Sequence, residues 1–357
     1  MKLLFISTSV GSLGTGLGGG VELSLYNIAQ EMLRRAHTLQ ILAPQGSKLE
    51  SMPIVEIPGN LQIIAQSQKR NALITMPENS VLANMCEYAR QVQHEYDLIV
   101  NFAYDWLPFY LTPFFKTPIA HFVSMGSIYA AMDEIVAQVA KQFPGTIGFY
   151  TPSQGETFSF VGAHGNAPIY YLSSGIDLSL YEFCPQPQNQ LAWLARIAPE
   201  KGLEDAIAAA QIAKIPLKIM GKIQDEDYWQ QICQTYPDAP FEYLGFLSTT
   251  KMQQELRQCR AMLMTPRWIE AFGNVAIEAL ACGVPVISYR RGGPAEIIQD
   301  GKTGFLVEPD SVEGLVNAIA RLDEINRYTC RQQAEAEFSL EALGDRFEQW
   351  FRDILQL

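Results

Sequence analysis

Short apolar runs alternate along the whole chain with longer stretches in which apolar residues recur every three or four positions. The runs lie at residues 3–8, 38–43, 98–102, 119–123 and 170–173, and again at 191–194, 217–220, 241–244, 261–264, 284–288 and 305–307. Runs of this length with little polar alternation suit strands covered on both faces. The amphipathic stretches between them, such as those at about 22–35 and 203–213, suit the covering helices. The alternation predicts parallel sheets flanked by helices, an α/β chain.

The two series are separated by residues 181–190, where Pro185, Pro187 and several Gln and Asn give the composition of a linker. Two Rossmann-like domains are therefore expected, residues 1–180 and 181–339. Behind Ser339, a suitable N-cap, Leu340, Leu343, Phe347, Trp350, Phe351 and Ile354 fall at helical spacing. Residues 340–357 are expected to form an amphipathic helix that packs back on the N-terminal domain. With 357 residues, 48% of them hydrophobic, the chain has material for two cores.

Composition narrows the partners. A net charge of -12 argues against nucleic acid, whose phosphates need clustered Lys and Arg. The acidic N-terminal half likewise argues against stable association with anionic lipid. Six scattered cysteines and four histidines show no spacing that would hold zinc, so the cysteines read as buried thiols of a reducing compartment. The apolar run after Met1 is too short for a signal peptide and no segment reaches membrane-spanning length. A soluble cytoplasmic protein acting on small molecules is expected.

The glycine-rich loop after the first strand, Gly14-Thr15-Gly16-Leu17-Gly18-Gly19, matches the spacing of a dinucleotide site. Its context does not. The glycines do not follow the strand directly, and the second strand ends Leu42-Ala43-Pro44-Gln45, without the carboxylate that binds a dinucleotide ribose. An NAD-dependent oxidoreductase is disfavoured. A loop with its glycines set just before a helix at Val21-Glu22 can instead bring the Gly19 and Gly20 amides close to a phosphate or a sugar hydroxyl.

The densest chemistry lies in the second series. Glu270-Ala271-Phe272-Gly273-Asn274-Val275-Ala276-Ile277-Glu278 sets one carboxylate before a helix and one inside it. A helix beginning near Gly273 directs unpaired amides and a partial positive charge at an anion. Alone, either glutamate reads as a helix-start acid or a solvated helix acid. Upstream, Arg196 and Lys201-Gly202 follow the first strand of the domain, a fork donor and a point charge suited to a diphosphate or to a charged loop over a helix start. Downstream come Arg291-Gly292-Gly293-Pro294-Ala295-Glu296 and a turn into a strand at 300–307.

Taken together these motifs resemble the family-4 retaining glycosyltransferases of the GT-B fold, two Rossmann-like domains facing across a cleft. Their Glu-x7-Glu pattern is matched by Glu270 and Glu278, and the likeness extends to Gly19-Gly20, Gly175-Ile176-Asp177, Arg196, Lys201-Gly202 and the Gly-Gly-x-x-Glu loop. The resemblance implies that Arg196 and Lys201 grip the donor diphosphate, that Glu278 binds ribose, and that Glu270 with Phe272, Gly273, Asn274 and Val275 holds the transferred sugar. It also places His121, which on its own reads as a structural residue at a strand end, against the donor sugar. Ala195 departs from the pattern, since the family usually has Gly before the Arg. With both carboxylates and a diphosphate grip in one domain, a non-catalytic sugar-binding protein is disfavoured too.

The acceptor is expected on the aromatic run from Asn101 to Tyr110, where Tyr104, Asp105 and Trp106 suit either a flat heterocycle or core packing with a capping acid, while Phe102 and Phe109 suit the core. The glycine loop with Glu22, the aromatic run and residues 268–283 are most similar to the members of the family that glucosylate tetrahydrobiopterin from UDP-glucose. That likeness implies a pterin acceptor. Asp225-Glu226-Asp227 has the spacing of a metal-binding DxD, but its place at a helix start makes acidic capping the better account, so no metal and no cofactor are expected.

Overall fold

The computed structural model describes residues 1–15, 19–161 and 168–356. The chain divides into two compact units, residues 1–174 with 340–357, and residues 175–339, so the break falls six residues ahead of the expected 180/181.

Among the described residues, unit 1 holds seven strands: β1 (Lys2–Ile6), β2 (Thr38–Pro44), β3 (Ile54–Ile57), β4 (Leu98–Asn101), β5 (Ile119–Val123), β6 (Ile147–Phe149) and β7 (Tyr170–Tyr171). They form one sheet in the order β3-β2-β1-β4-β5-β6-β7, every neighbouring pair parallel. Unit 2 holds six: β8 (Leu191–Leu194), β9 (Leu217–Met220), β10 (Phe241–Tyr243), β11 (Ala261–Met264), β12 (Val286–Tyr289) and β13 (Gly304–Val307). Their order, β10-β9-β8-β11-β12-β13, is again wholly parallel. The order of strands reverses once in each sheet, between β1 and β4 in unit 1 and between β8 and β11 in unit 2.

The strands missing from the sequence reading are β3 and β6. β3 is an edge strand with a polar Glu56 and only Ile57 fully covered, so it lacks the continuous apolar run of a central strand. β6 is three residues long and interrupted by Gly148. That glycine has a packing cause. A Cβ there would lie 2.5 Å from a Leu172 methyl and 3.1 Å from the Trp350 ring. Trp350 is carried by the helix Leu340–Leu355, which closes unit 1 with Leu343, Phe347, Trp350 and Phe351 buried. Its indole N–H donates to the Gly145 carbonyl at 2.7 Å, which satisfies the one polar atom the ring takes into the core.

Four of the six cysteines are buried as expected, while Cys184 and Cys233 are half-buried. Burial pushes the thiols of Cys86, Cys259, Cys282 and Cys330 up to about 12, which keeps them protonated. Among the described residues no helix is long and apolar enough to cross a membrane, and no cluster of His, Cys, Asp and Glu is set to hold a metal.

Candidate active site

In an open parallel sheet the ligand crevice lies outside the carboxyl ends of the strands where their order reverses. In unit 2 that is the exit of β8, residues 195–202, beside the exit of β11, residues 265–273. The two loops are fastened together. Gly202 has φ 62, and any Cβ on it would collide with the Thr265 carbonyl. Thr265 Oγ1 donates to the Gly202 carbonyl at 2.7 Å, and Arg267 N–H donates to the Glu200 carbonyl at 2.9 Å. The glycine after Lys201 is thus required by loop contact as well as by the helix Leu203–Ala213 that it precedes.

This zipper brings together residues far apart in the chain. Lys201 Nζ donates to Glu270 Oε2 at 2.5 Å, and Trp268 Nε1 donates to the same oxygen at 2.9 Å. The ammonium also lies 4.9 Å from the centre of the Trp268 ring. The two side chains are 13% and 19% exposed, so the pair is largely shielded from water. Burial raises the Glu270 pKa, but the charge and hydrogen bond of Lys201, the Trp268 indole and the charge of Arg196 outweigh it and hold the carboxyl below its ordinary range. Arg196 itself hydrogen-bonds Gln224 and reaches Glu200 Oε1 at 3.3 Å.

The helix Asn274–Ala281 starts at Gly273, whose φ of 100 only glycine adopts without strain. Its first turn therefore opens at the end of the Glu270 loop, with no side-chain cap on its amides. A second loop straps this one from behind. Gly293 N–H donates to the Glu270 carbonyl at 2.7 Å, and a Cβ on Gly292 would come within 2.6 Å of that oxygen. Gly292-Gly293 is present because backbone meets backbone there. Along the helix, Glu278 accepts a hydrogen bond from the Tyr181 hydroxyl at 2.9 Å; burial raises its carboxyl to about 7 against the opposing effect of that bond.

Unit 1 has its own reversal, between β1 and β4. The exit of β4 carries Tyr104, Asp105 and Trp106. Asp105 caps the helix Trp106–Leu111 through Leu107 N–H and accepts from Gln62 Nε2 at 2.9 Å, while burial raises its pKa. Tyr104 donates to the Gly126 carbonyl at 3.0 Å, and Trp106 stacks on Tyr110 at 4.4 Å between centroids. Phe102 and Phe109 are core residues, as expected. Gly19 precedes the helix Gly20–Arg34 with φ 60, among the described residues nothing lies within 4 Å of where its Cβ would stand, and Glu22 Oε1 accepts from Gly14 N–H at 2.5 Å. Gly16 and Gly18 of the same loop lie outside the described residues.

His121 is a correction. It is the middle residue of β5, not its end, and it is 0% exposed. Its Nδ1 pairs with Asn101 Nδ2 at 3.2 Å, its Nε2 with Thr112 Oγ1 at 2.9 Å, and its ring stacks on Phe109 at 4.2 Å. Both nitrogens are used inside the core, and burial pushes its pKa down to about 3. A neutral, fully enclosed imidazole cannot touch a donor sugar.

Asp225 accepts from Tyr228 N–H at 2.9 Å at the start of the helix Glu226–Thr235, so the Asp-Glu-Asp run is a capped helix start. Trp268, Tyr181, Gln224 and Gln62 escaped the sequence reading. Trp268 alone carried a signal, standing two residues before Glu270.

Residues 183–337 match the family model described as glycosyl transferases group 1. The chain is 30% identical over 165 residues to glycogen synthase of Mycobacterium tuberculosis, covering 43% of this chain and 40% of that protein. It is also 31% identical over 159 residues to the 2-deoxystreptamine N-acetyl-D-glucosaminyltransferase of Niallia circulans, covering 41% and 40%. The chain thus spans about two fifths of the length of these relatives. Among solved structures, Anabaena Alr3699/HepE in complex with UDP and glucose matches 99% of this chain and 100% of its own, with a TM-score of 0.77 at 19% identity. The fold is that of the GT-B proteins, two parallel-sheet α/β units. The residues that match the family model lie within unit 2.

Proposed function

We propose that this protein is a retaining glycosyltransferase that moves glucose from UDP-glucose to a small soluble acceptor, a reduced pterin of the tetrahydrobiopterin kind. The observation that carries the donor half is the meeting of Arg196, Lys201, Glu270 and the uncapped helix start at Gly273 at the strand reversal of unit 2. Two cations and the backbone amides of a helix start are what a leaving diphosphate needs, because its charge grows as the glycosidic bond breaks. Lys201 exchanges its contact with Glu270 for the diphosphate, and Glu270 with the amides of residues 272–275 then takes the sugar hydroxyls. Glu278 takes the ribose diol.

No side chain of unit 2 is set as a nucleophile, so the reaction is read as a front-side displacement. The bond from the anomeric carbon to the diphosphate oxygen breaks, the acceptor oxygen bonds to the carbon on the same face, and the acceptor proton passes to the departing phosphate. The capped Asp-Glu-Asp helix start supports a metal-independent reaction, in which excess chelator leaves the rate unchanged. In unit 1, Gly19 and the first turn of the helix Gly20–Arg34, with Glu22, end the loop that leaves β1, and Tyr104, Asp105 and Trp106 offer aromatic faces and an acceptor for ring N–H groups.

One observation favours a second acceptor class. Leu61, Ile63, Ile64, Leu73, Ile74 and Met76 are all exposed within one short stretch, and Leu73 and Ile74 line a small cavity with Tyr104 and Asp105. An acceptor with an apolar chain would cover them. Incubation with UDP-glucose and either tetrahydrobiopterin or a panel of lipid and sugar acceptors, read by mass spectrometry, separates the two. A hexose adduct of the pterin supports the first reading, and transfer only to a lipid or sugar replaces it. No transfer from any nucleotide sugar would remove the glycosyltransferase assignment.

A further inference from the structure

Glu278 sits on the second turn of the helix Asn274–Ala281 with the Tyr181 hydroxyl donating to its Oε1 at 2.9 Å. Tyr181 is 5% exposed and held on both sides of its own backbone. Its N–H donates to the Leu178 carbonyl at 3.2 Å, and its carbonyl accepts from Arg331 Nη1 at 2.9 Å. The same Arg331 nitrogen donates to the Ala281 carbonyl at 2.7 Å, at the end of the helix that carries Glu278. One guanidinium therefore fastens the backbone of the tyrosine to the end of the glutamate helix, and the buried phenol meets Glu278.

We propose that Tyr181 is a positioning residue for nucleotide binding: by occupying Oε1 of Glu278 it orients the carboxylate and leaves Oε2 to accept from the ribose diol. This rests on the reading of Glu278 as the ribose acceptor. A buried carboxyl with no donor of its own prefers its neutral form, which offers a ribose diol one acceptor fewer. The hydrogen bond from Tyr181 favours the charged form and acts in the direction that helps binding. The groups facing this pair are few. Asp177 lies near Tyr181 from the segment before β8, and Cys282 follows Glu278 by one turn. Arg257, Arg327 and Arg331 act on Cys282 from neighbouring helices. Among the described residues only Tyr181 hydrogen-bonds to the Glu278 carboxylate.

The test uses the full chain and nucleotide binding alone, by titration calorimetry with whichever of UDP, GDP and ADP binds most tightly. Tyr181→Phe removes one oxygen and keeps the ring. It is expected to weaken binding roughly threefold to tenfold at pH 7, the size of one ordinary hydrogen bond. The loss should shrink as pH rises to 8.5, because the midpoint of the Glu278 titration has moved upward and more carboxylate forms there. In a Glu278→Gln background the same substitution should have no further effect, since it acts through that carboxylate. A Tyr181→Phe penalty that is absent, equal at every pH, or undiminished in the Glu278→Gln background overturns the inference. If Glu278→Gln itself binds nucleotide as tightly as the parent chain, or if none of the three nucleotides binds, the ribose reading falls first.

Discussion

Lys201 Nζ lies 2.5 Å from Glu270 Oε2, and the Trp268 indole N–H shares that oxygen at 2.9 Å. Sixty-nine residues separate the lysine from the glutamate, yet each is the other's principal partner. In the proposed reaction the two halves of the pair serve different parts of one donor, the cation the diphosphate and the carboxylate the sugar. Pairing them keeps both charges in place in a setting where a lone charge would be costly.

Lys201→Ala should slow transfer roughly a hundredfold or more, since the charge on the leaving group loses a preorganised partner. It should also lower the stability of unit 2 by about 1–3 kcal/mol, the cost of leaving a buried acceptor without its charged donor. Steady-state kcat and a denaturant melt measure the two effects. Turnover within a few fold of the parent chain would remove the diphosphate role.

Glu278→Gln should raise the donor KM while kcat changes little, because ribose contacts are the same in the ground and transition states. Its stability effect has a sign set by burial. A carboxyl raised to about 7 in the folded chain, from 4.5, holds its proton between those pH values while the unfolded chain releases it. Stability therefore falls as pH rises from about 4.5 to 7 and is level above. Removing the titration with Gln should raise Tm at pH 8 by more than at pH 5, an advantage of up to ~3 kcal/mol. Equal shifts at both pH values would contradict the buried setting of Glu278.

Gly293→Ala tests the strap. The added methyl would collide with the Phe272 carbonyl and lie 2.5 Å from its Cα, so the Glu270 loop must shift. Transfer should fall by at least tenfold, because misplacing the sugar-holding groups by a fraction of an ångström is enough to lose alignment. Unaltered kinetics would show that the loop has room the packing does not reveal.

His121→Ala is expected to behave as a core mutation. The loss of a stacked ring and two buried hydrogen bonds should cost about 2–4 kcal/mol. In the protein that remains folded, kcat and donor KM should be near those of the parent chain. The parent should also lose stability on acidification, as pH falls from 6.5 toward about 3, because only the unfolded chain takes up the proton over that range. A hundredfold loss of kcat at unchanged Tm would return His121 to the site.

Trp106→Ala, measured with the pterin, should raise the acceptor KM with nucleotide affinity unchanged. An effect on the donor alone would place the acceptor elsewhere.

What the sequence determined by itself was everything whose cause is local. Apolar runs of strand length and helical periodicities between them specify the alternation of β and α, and with it the parallel sheets and the carboxyl edge where ligands gather. Glu270 and Glu278 can be read together because their spacing of eight is visible in the chain, one before a helix start and one within it, although the Glu270 loop takes its final place only against Gly292-Gly293. Only the tertiary structure decided which side chains meet. The pairs Lys201–Glu270 and Tyr181–Glu278 join residues 69 and 97 positions apart, and no periodicity along a chain encodes such a meeting. It decided also that β3 and β6 exist, since an edge strand and a three-residue strand are held by their neighbours' hydrogen bonds and by the packing of Trp350 over Gly148. His121 shows the limit most plainly. Its residue type and rough place fit a site, but whether an imidazole faces ligand or core depends on which neighbours claim its two nitrogens, and here Asn101 and Thr112 claim both.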